Sequence, residues 1–544
     1  QIFHSSFLAN LAQKQHEHLI TIEPKRGTIY DRNLRPMAIN LPVYSVFANA
    51  RIIHLHHNEE EVVSVLSKAL NISSKEISSK IEKNKYFVWL KRKVSQEVYQ
   101  QIKDLKIAGI GFVKESKRFY PNQSLAAHLI GFAGMDNNGL DGLERDYDKF
   151  LKGKEGHSVV LRDARQRQLM LEKDYIAPVE GLDIVLTIDE TIQFIAERAL
   201  DRMYQKYNAK GASIIVMDPS TGEILAFANR PTYDLENVAK STPESRTNRA
   251  IVYTYEPGSV FKIVTASAAL QENVIQETDL INCQHGSYVV GGHVLHDHEP
   301  LGTITFQQVI EQSSNIGTTK VAQRLGPQRV YNYAHHFRFG MRTGIDLPGE
   351  ALGNLKPVSR WSKTSIGAIP IGQEVTVTAV QLLGAISAIA NNGVYMRPFV
   401  VKYVKDVHDQ IIKETKPQIL DRVITAQTDQ RVKAILQGVV DKGTGVKAQI
   451  KGVTVAGKTG TAQKVVGGTY SHGHFYATFV GFAPVDKPRL SAVIVFDEPH
   501  PVYYGGLVAG PVFSEVIGDA LKYLDAKQMA GADVTPDQGQ YDSK

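Results

Sequence analysis

The segment from Ser259 to Gln271, SVFKIVTASAALQ, constrains the fold of this chain more than any other part of the sequence. It follows Pro257 and Gly258, a pair that marks a break before a helix. The segment is apolar on nearly every face, and a helix of that kind belongs in the interior of a large domain. We therefore predict a helix at the buried centre of its domain, with Ser259 in its first turn.

Strand patterns lie far from this helix on both sides. Upstream, residues 211–231 form two apolar segments around an Asp-Pro-Ser-Thr-Gly turn, which is typical of a hairpin. Downstream, residues 469–499 form two more around Pro-Val-Asp-Lys-Pro, and residues 511–528 are a final helix candidate. Strands from distant parts of the chain with helices between them indicate an α/β or α+β domain.

The chain has 544 residues, which is too long for one ordinary core, so two or more domains are expected. The first half mixes strand patterns with amphipathic helix patterns and holds no catalytic constellation, so we interpret it as a scaffold or docking module. We predict an N-terminal domain over 1–178 with a helical insertion at about 52–114. A second domain would span 179–527, followed by a flexible tail over 528–544.

Composition excludes several classes of protein. Cys283 is the only cysteine, which rules out an internal disulfide and a thiolate zinc cage. The net charge of +6 is mild for this length and gives no reason to expect nucleic acid binding. No apolar run reaches the roughly 18 residues of a membrane helix. The sequence begins at Gln1 rather than Met, so we expect that an upstream segment was removed or left out.

The stretch GVTVAGKTG, residues 452–460, fits two unrelated motifs. Residues 452–459 match the Walker A phosphate loop, whereas Lys458 to Gly460 match the K-T-G signature of serine acyltransferases that penicillin inhibits. A phosphate loop needs a strand, a glycine-rich loop and then a helix. Here the intervening residues Val-Thr-Val-Ala favour a strand, and the glycine-rich segment after Thr459 is unfavourable for a helix. The context therefore argues against a nucleotide site.

The acyltransferase interpretation requires an S-x-x-K at a helix start, and Ser259 to Lys262 is the only such tetrad in the chain. Residues three apart share a helical face, so the Lys262 amine can reach the Ser259 hydroxyl. A serine hydroxyl is a weak nucleophile that needs a neighbouring base. A lysine becomes that base when burial and a second cation lower its pKa. Ser259 is thus the candidate nucleophile and Lys262 its base.

Two further motifs complete the expected set. Ser313 and Asn315, in the triplet Ser-Ser-Asn between two helix patterns, can pass a proton and hold a peptide carbonyl. Lys458 supplies the second cation and, with Thr459 and Thr461, can hold a substrate carboxylate. Gly460 would let substrate backbone lie close to the strand. The backbone N–H groups of Ser259 and Thr461 are the candidate oxyanion hole.

At these residues the chain resembles the penicillin-binding transpeptidases, and specifically the class B members, which are monofunctional. The likeness includes the segments 24–33, 128–156 and 162–167 of the first half and 371–393 and 503–516 of the second. It implies an α/β (α+β) penicillin-binding transpeptidase fold. In that fold an antiparallel sheet carries helices on both faces and follows an elongated pedestal domain of mixed α+β structure.

The resemblance also implies a reaction. Ser259 would attack the D-Ala-D-Ala bond of a peptidoglycan stem peptide, with Lys262 as base, and release D-Ala. The acyl-enzyme would pass to an amine of a neighbouring stem peptide and form a cross-link. Ser313 and Asn315 would move a proton and hold the donor, and the K-T-G strand would grip its carboxylate. β-Lactams would acylate the same serine, and no cofactor or metal is implied.

The same resemblance implies a setting for the enzyme. The segments YEPGSVFK and SSN are most similar to division-type members, which points to septal cell-wall synthesis. Polymerisation of glycan would fall to a membrane-embedded glycosyltransferase of the SEDS type, and other division proteins would be partners. Family members act on the extracytoplasmic face of the bacterial cytoplasmic membrane, anchored by one N-terminal helix that is absent from this sequence.

Three alternatives remain open from the sequence. A serine β-lactamase shares the motifs but hydrolyses its acyl-enzyme, and a β-lactam sensor would only bind. The third is a nucleotide-binding protein with the phosphate loop at residues 452–459. A metal site is a separate hypothesis. The segment GGHVLHDHEP places His293, His296 and His298 beside Asp297, a set of donors that zinc accepts. Spacing alone does not establish a metal site, and we predict none.

Overall fold

The computed structural model describes residues 17–56, 59–83, 87–162, 168–170 and 176–532. Its strands, numbered β1 to β23 in chain order, are Glu17–Ile22, Ile29–Tyr30, Pro36–Ala48, Val88–Val94, Ile110–Phe119, Gly156–Arg162, Gln168–Met170, Asp183–Leu186, Gly211–Met217, Ile224–Arg230, Leu280–Asn282, Ser287–Val290, His293–His296, Thr303–Thr305, Asn354–Leu355, Val375–Thr376, Val394–Met396, Val401–Lys405, Ile411–Glu414, Ile419–Arg422, Ala456–Val466, Thr469–Ala483 and Leu490–Asp497.

The α-helices, numbered α1 to α19, are Ala50–His56, Glu59–Leu70, Ser74–Lys83, Gln96–Asp104, Ala127–Ile130, Gly142–Asp146, Asp148–Leu151, Glu190–Lys206, Pro243–Arg246, Arg249–Val252, Lys262–Gln271, Phe306–Glu311, Asn315–Leu325, Pro327–His336, Ser365–Ala368, Ala379–Ala390, Ala426–Asp441, Gly505–Val508 and Gly510–Ala532. No helix within the described ranges is long and apolar enough to cross a membrane.

The second half is built on an antiparallel sheet with the strand order β10-β9-β23-β22-β21. Side chains alternate across each strand, so Ile214 and Val216 face one side while Ile215 and Met217 face the other. Helices α8 and α19 cover the first side, and α11, α16 and α17 belong to the larger core on the second. The predicted fold class, an antiparallel sheet with helices on both faces, is confirmed.

Helix α11 lies in that larger core, as its sequence predicts. Nine of its ten residues are buried, from Lys262 to Leu270. The start differs from the expectation, because Gly258–Phe261 form a short 3-10 helix and the α-helix begins only at Lys262. Ser259 therefore lies in a tight turn that leads into the buried helix.

The N-terminal part has its own small core. Helices α1 to α4 pack with strand β4 around residues such as Leu66, Ile77 and Ile102. The insertion predicted as helical thus also contains a strand. Strands β2 and β3 continue a larger sheet of order β19-β18-β8-β2-β3-β4, which ties this part to the second half. The boundary at residue 178 stays a prediction.

Buried charges hold the base of the N-terminal part together. Glu144 accepts hydrogen bonds from Arg26 Nε at 2.7 Å and from Arg118 Nε at 2.6 Å. Arg26 also donates to a carboxylate oxygen of Asp148 and to two main-chain carbonyls. We call Arg26, Arg118 and Glu144 the pedestal ion cluster. It links the segments 24–33 and 128–156 that carry the family resemblance.

At the other end of the chain, helix α19 continues to Ala532, so residues 528–532, which we had placed in the tail, are helical. The rest of the predicted tail, 533–544, lies outside the described residues. So does most of the segment 162–167, which was also used for the resemblance.

Candidate active site

The turn that carries Ser259 is held between two neighbouring segments. Gly258 has a φ of +54°, in the left-handed region, and its N–H donates to the carbonyl oxygen of Gly372 at 3.1 Å. On the other side, a Cβ on Gly460 of strand β21 would lie 3.0 Å from the carbonyl oxygen of Pro257. The glycine of K-T-G therefore makes room for the turn that carries Ser259, whereas the sequence suggests room for substrate.

Lys262 lies directly behind this turn and is fully buried. Its Nζ donates to the carbonyl oxygen of Ser313 at 2.5 Å, to Asn315 Oδ1 at 2.8 Å and to Ser313 Oγ at 3.2 Å. Burial, followed by the charge of Lys458, holds the pKa of Lys262 well below its usual range. Among the described residues, none forms a hydrogen bond with the Ser259 hydroxyl, so the contact expected between Lys262 and Ser259 is not made in this state.

Ser313 joins the two buried lysines. It has a φ of +59° in the connection between α12 and α13, which turns its hydroxyl toward both cations. Lys458 Nζ donates to Ser313 Oγ at 3.0 Å, and Lys262 donates to the same atom. Lys458 is also fully buried, and this burial lowers its pKa to about 7. A hydroxyl in contact with two amines of lowered pKa can relay a proton between them and a substrate.

Asn315 begins helix α13 and is oriented by the hairpin of β12 and β13. Its side-chain amide donates to the carbonyl oxygen of His296 at 2.9 Å, which directs Oδ1 toward Lys262. Asp297 accepts the backbone N–H groups of Asn315 at 2.5 Å and Ile316 at 3.0 Å, and the Ser314 hydroxyl at 2.6 Å. A carboxylate at a helix N-terminus is stabilising. Asp297 is a positioning residue that the sequence analysis had treated only as a metal donor.

The three histidines around Asp297 do not converge with it on an ion. No group of three or more His, Cys, Asp or Glu side chains in the described part of the chain is arranged to hold a metal. Asp297 points its oxygens at helix α13, and His298 instead lies against the ring of Tyr504, with centroids 5.5 Å apart.

Thr459, in the K-T-G motif, and Thr461, just after it, have hydrogen-bond partners on neighbouring segments. The hydroxyls of Thr459 and Thr444 lie 2.6 Å apart, and Thr461 Oγ1 accepts the N–H of Gly505 at 3.1 Å. Strand β21 begins at Ala456 and continues to Val466, so Thr459 is followed by more strand. A phosphate loop would be followed by a helix, and the Walker A hypothesis is therefore excluded.

One cavity of about 760 Å³ brings the motifs together. Ser259, Ser313, Asn315, Thr459 and Thr461 line it, whereas Lys262 and Lys458 lie behind its wall. The lining also includes residues that the sequence analysis missed, among them Glu256, Thr444, Phe475, Tyr503 and Tyr504. The first of these stands three residues before the nucleophile, and no spacing rule would have singled it out.

A serine at the entrance of such a cavity, with two buried lysines and a bridging hydroxyl behind it, is the arrangement of a serine acyltransferase that penicillin recognises. Residues 212–518 match the transpeptidase domain of penicillin-binding proteins, and residues 21–186 match the penicillin-binding protein dimerisation domain. The chain belongs to this family, and its two domains place it among the class B penicillin-binding proteins.

Named relatives cover most of the chain. Stage V sporulation protein D of Bacillus subtilis is 35% identical over 96% of this chain and 81% of its own length. The peptidoglycan D,D-transpeptidase FtsI of Escherichia coli K12 is 32% identical over 93% of this chain and 84% of its own. The crystal structure of penicillin-binding protein 3 from Mycobacterium tuberculosis with aztreonam superposes with a TM-score of 0.73. It shares 29% identity and covers 93% of this chain and 97% of that one.

Proposed function

We propose that the chain is a peptidoglycan D,D-transpeptidase that works through an acyl-enzyme on Ser259. The observation that carries this proposal is the contact of both buried lysines with Ser313 Oγ, at 3.2 Å and 3.0 Å, behind the cavity that Ser259 lines. Burial, followed by the charge of Lys458, lowers the pKa of Lys262, which increases the share of unprotonated amine that can accept a proton.

In the first half-reaction the Ser259 hydroxyl attacks the carbonyl carbon of the penultimate D-Ala, and its proton passes to Lys262. The backbone N–H groups of Ser259 and Thr461 stabilise the oxyanion of the tetrahedral intermediate. The C–N bond then breaks, and the departing D-Ala amine takes a proton from Lys262 through Ser313. Asn315 holds the donor peptide in the cavity.

The terminal carboxylate of the donor binds at the K-T-G strand. Thr459 and Thr461 reach the cavity and supply hydroxyl donors, while Lys458 acts from behind the wall through its charge. In the second half-reaction an amine of a neighbouring stem peptide attacks the acyl carbon and releases Ser259. A β-lactam occupies the place of the donor and leaves the serine acylated.

The setting of the enzyme is also a proposal. Similarity to FtsI over most of both chains supports a role in division, with a membrane-embedded glycosyltransferase of the SEDS type and other division proteins as partners. We place the catalytic domain on the extracytoplasmic face of the bacterial membrane, anchored in the full-length protein by one N-terminal helix. The division into a pedestal over 1–178, a transpeptidase domain over 179–527 and a tail belongs to the same proposal.

The experiment that tests the chemistry is intact mass after incubation with a penicillin, on the wild type and on Ser259→Ala. We expect one adduct on the wild type, none on the variant, and slow loss of the adduct over hours. Rapid loss would instead indicate a β-lactamase. An adduct that survives in the variant would overturn the assignment of Ser259.

A further inference from the structure

The cavity that holds Ser259 contains one carboxylate that the mechanism above does not use. Among the described residues that line it, Glu256 alone carries a carboxyl group. It stands three residues before the nucleophile, on the segment that leads into the catalytic turn. A charged side chain in such a place costs free energy unless something binds it.

Two donors hold Glu256 without neutralising it. Its Oε1 accepts the N–H of Glu374 at 2.9 Å and the hydroxyl of Tyr470, on strand β22, at 3.2 Å. Its Oε2 receives no hydrogen bond from any residue that the structure describes, and no lysine or arginine in those ranges forms an ion pair with it. One oxygen is thus anchored, and the other is left for a ligand.

Transpeptidation supplies a ligand of the matching charge. The second substrate of the proposed reaction is an amine, which is an ammonium in neutral solution and cannot attack until it loses a proton. Near the serine, Lys262 and Lys458 provide only positive or neutral nitrogen, which does not attract a cation. Within the described cavity, the carboxylate that can bind an ammonium is Glu256.

We propose that Glu256 binds the ammonium of the acceptor and takes its first proton, which makes this residue a determinant of acceptor specificity. This inference rests on the proposed function. The carboxylate becomes a carboxylic acid, and the neutral amine attacks the acyl carbon on Ser259. A C–N bond forms, and the second proton passes through Ser313 to Lys262. The C–Oγ bond breaks as Ser259 takes that proton back, and Glu256 returns its own to solvent.

The surroundings of Glu256 suit this task. Burial, followed by the charge of Glu374, raises the pKa of Glu256, whereas its two hydrogen bonds and Lys356 oppose the rise. Lys356 itself lies 3.6 Å from the Glu374 carboxylate. A carboxylate of raised pKa is a stronger base toward an ammonium than an exposed one.

Competition between water and two acceptors tests the proposal on the full chain. The acyl-enzyme is formed from an acyl-D-Ala-D-Ala peptide, and mass spectrometry gives the ratio of aminolysed to hydrolysed product. Nα-acetyl-lysine amide is the cationic acceptor, and hydroxylamine is uncharged at neutral pH. For Glu256→Gln, which preserves shape, we expect the ratio with the lysine derivative to fall about tenfold, as for loss of a charge-assisted hydrogen bond.

Three controls make the result specific. The ratio with hydroxylamine and the rate of penicillin acylation should stay within about twofold of the wild type in Glu256→Gln, because neither needs the ammonium contact. Glu414→Gln removes an exposed carboxylate on strand β19, outside the cavity lining, and it should leave all three measurements near wild type.

Each other outcome overturns the inference. The role of Glu256 is excluded if Glu256→Gln leaves the ratio with the lysine derivative unchanged. It is also excluded if the lysine derivative yields no aminolysed product from the wild-type acyl-enzyme. A parallel fall in penicillin acylation would mean that Glu256 only supports the catalytic turn. Failure of the wild type to form any penicillin adduct would instead contradict the proposed function itself.

Discussion

The pedestal ion cluster and the catalytic lysines bury positive charge in opposite ways. In the first, Arg26 and Arg118 share the carboxylate of Glu144, which they contact at 2.7 Å and 2.6 Å. In the second, Lys262 and Lys458 are equally buried but contact only hydroxyl, carbonyl and amide oxygens. The guanidinium groups share a carboxylate that holds two segments together, whereas burial without such a partner lowers the pKa of both lysines, so their ammonium forms lose a proton more readily.

Removal of Lys262, the proposed base, should produce the largest effect. In Lys262→Met we expect penicillin acylation of Ser259 to fall about a thousandfold, because the hydroxyl loses its proton acceptor. The free energy of unfolding should fall by no more than about 1 kcal/mol, since the lost hydrogen bonds are offset by removal of a buried, unpaired amine. Stopped-flow acylation and urea denaturation measure the two quantities.

The exposed Lys487→Met is the control for that pair of measurements and should change neither quantity. If Lys262→Met still acylates within tenfold of the wild type, Lys262 is not the base.

The opposite pattern is expected in the pedestal. Glu144→Gln leaves two buried guanidinium groups without their shared counter-charge, so the free energy of unfolding should fall by about 3 to 5 kcal/mol. Acylation measured at a temperature where the variant is folded should remain near wild type. Urea denaturation gives the stability, and Glu76→Gln, in an exposed i,i+4 pair with Lys80, should cost less than about 0.5 kcal/mol. Equal losses of unfolding free energy in Glu144→Gln and Glu76→Gln would contradict the stabilising role of the pedestal ion cluster.

The two clusters should also differ in how stability depends on pH. Burial lowers the pKa of Lys458 from 10.5 to about 7 in the folded chain. Between these values the unfolded chain binds a proton that the folded chain has lost, so stability rises with pH. From pH 7 to 9 the wild type should gain about 1 kcal/mol per pH unit relative to Lys458→Met, by denaturation at each pH.

The difference between the wild type and Glu144→Gln should stay flat over the same range, because guanidinium and carboxylate groups do not titrate there. A flat difference for Lys458→Met as well would mean that this lysine stays charged in the fold.

The smallest expected effect concerns Asp297. Its carboxylate binds the N-terminus of helix α13, and its negative charge opposes the lowering of the Lys262 pKa. In Asp297→Asn the pKa of Lys262 should fall further, because a nearby negative charge is gone. The acylation rate falls at acid pH as Lys262 takes up a proton. In the variant this fall should occur at a pH lower by about half a unit to one unit. A shift to higher pH would contradict this electrostatic role.

Much of the site could be predicted because its chemistry is local. The Pro-Gly break, the S-x-x-K tetrad and the all-apolar run predict a serine at the entry to a buried helix, and the structure has that helix. The neighbouring Val-Thr-Val run was predicted to be a strand, but β21 begins only at Ala456. Residues 452–455 lie outside it, and Val453 instead forms an isolated antiparallel bridge with Ile450, so local strand propensity did not decide the pairing.

What the sequence by itself determined is the set of reactive groups, their order along the chain and the class of domain that must bury them. Tertiary structure alone decided that Lys262 contacts Ser313 and Asn315, 51 and 53 residues away, and that Asp297 binds the start of the helix that begins at Asn315. It also placed Glu256 in the cavity and gave Gly460 a neighbour in Pro257. Local patterns specify helices and turns, but which side chains meet across the chain depends on how sheets and helices pack.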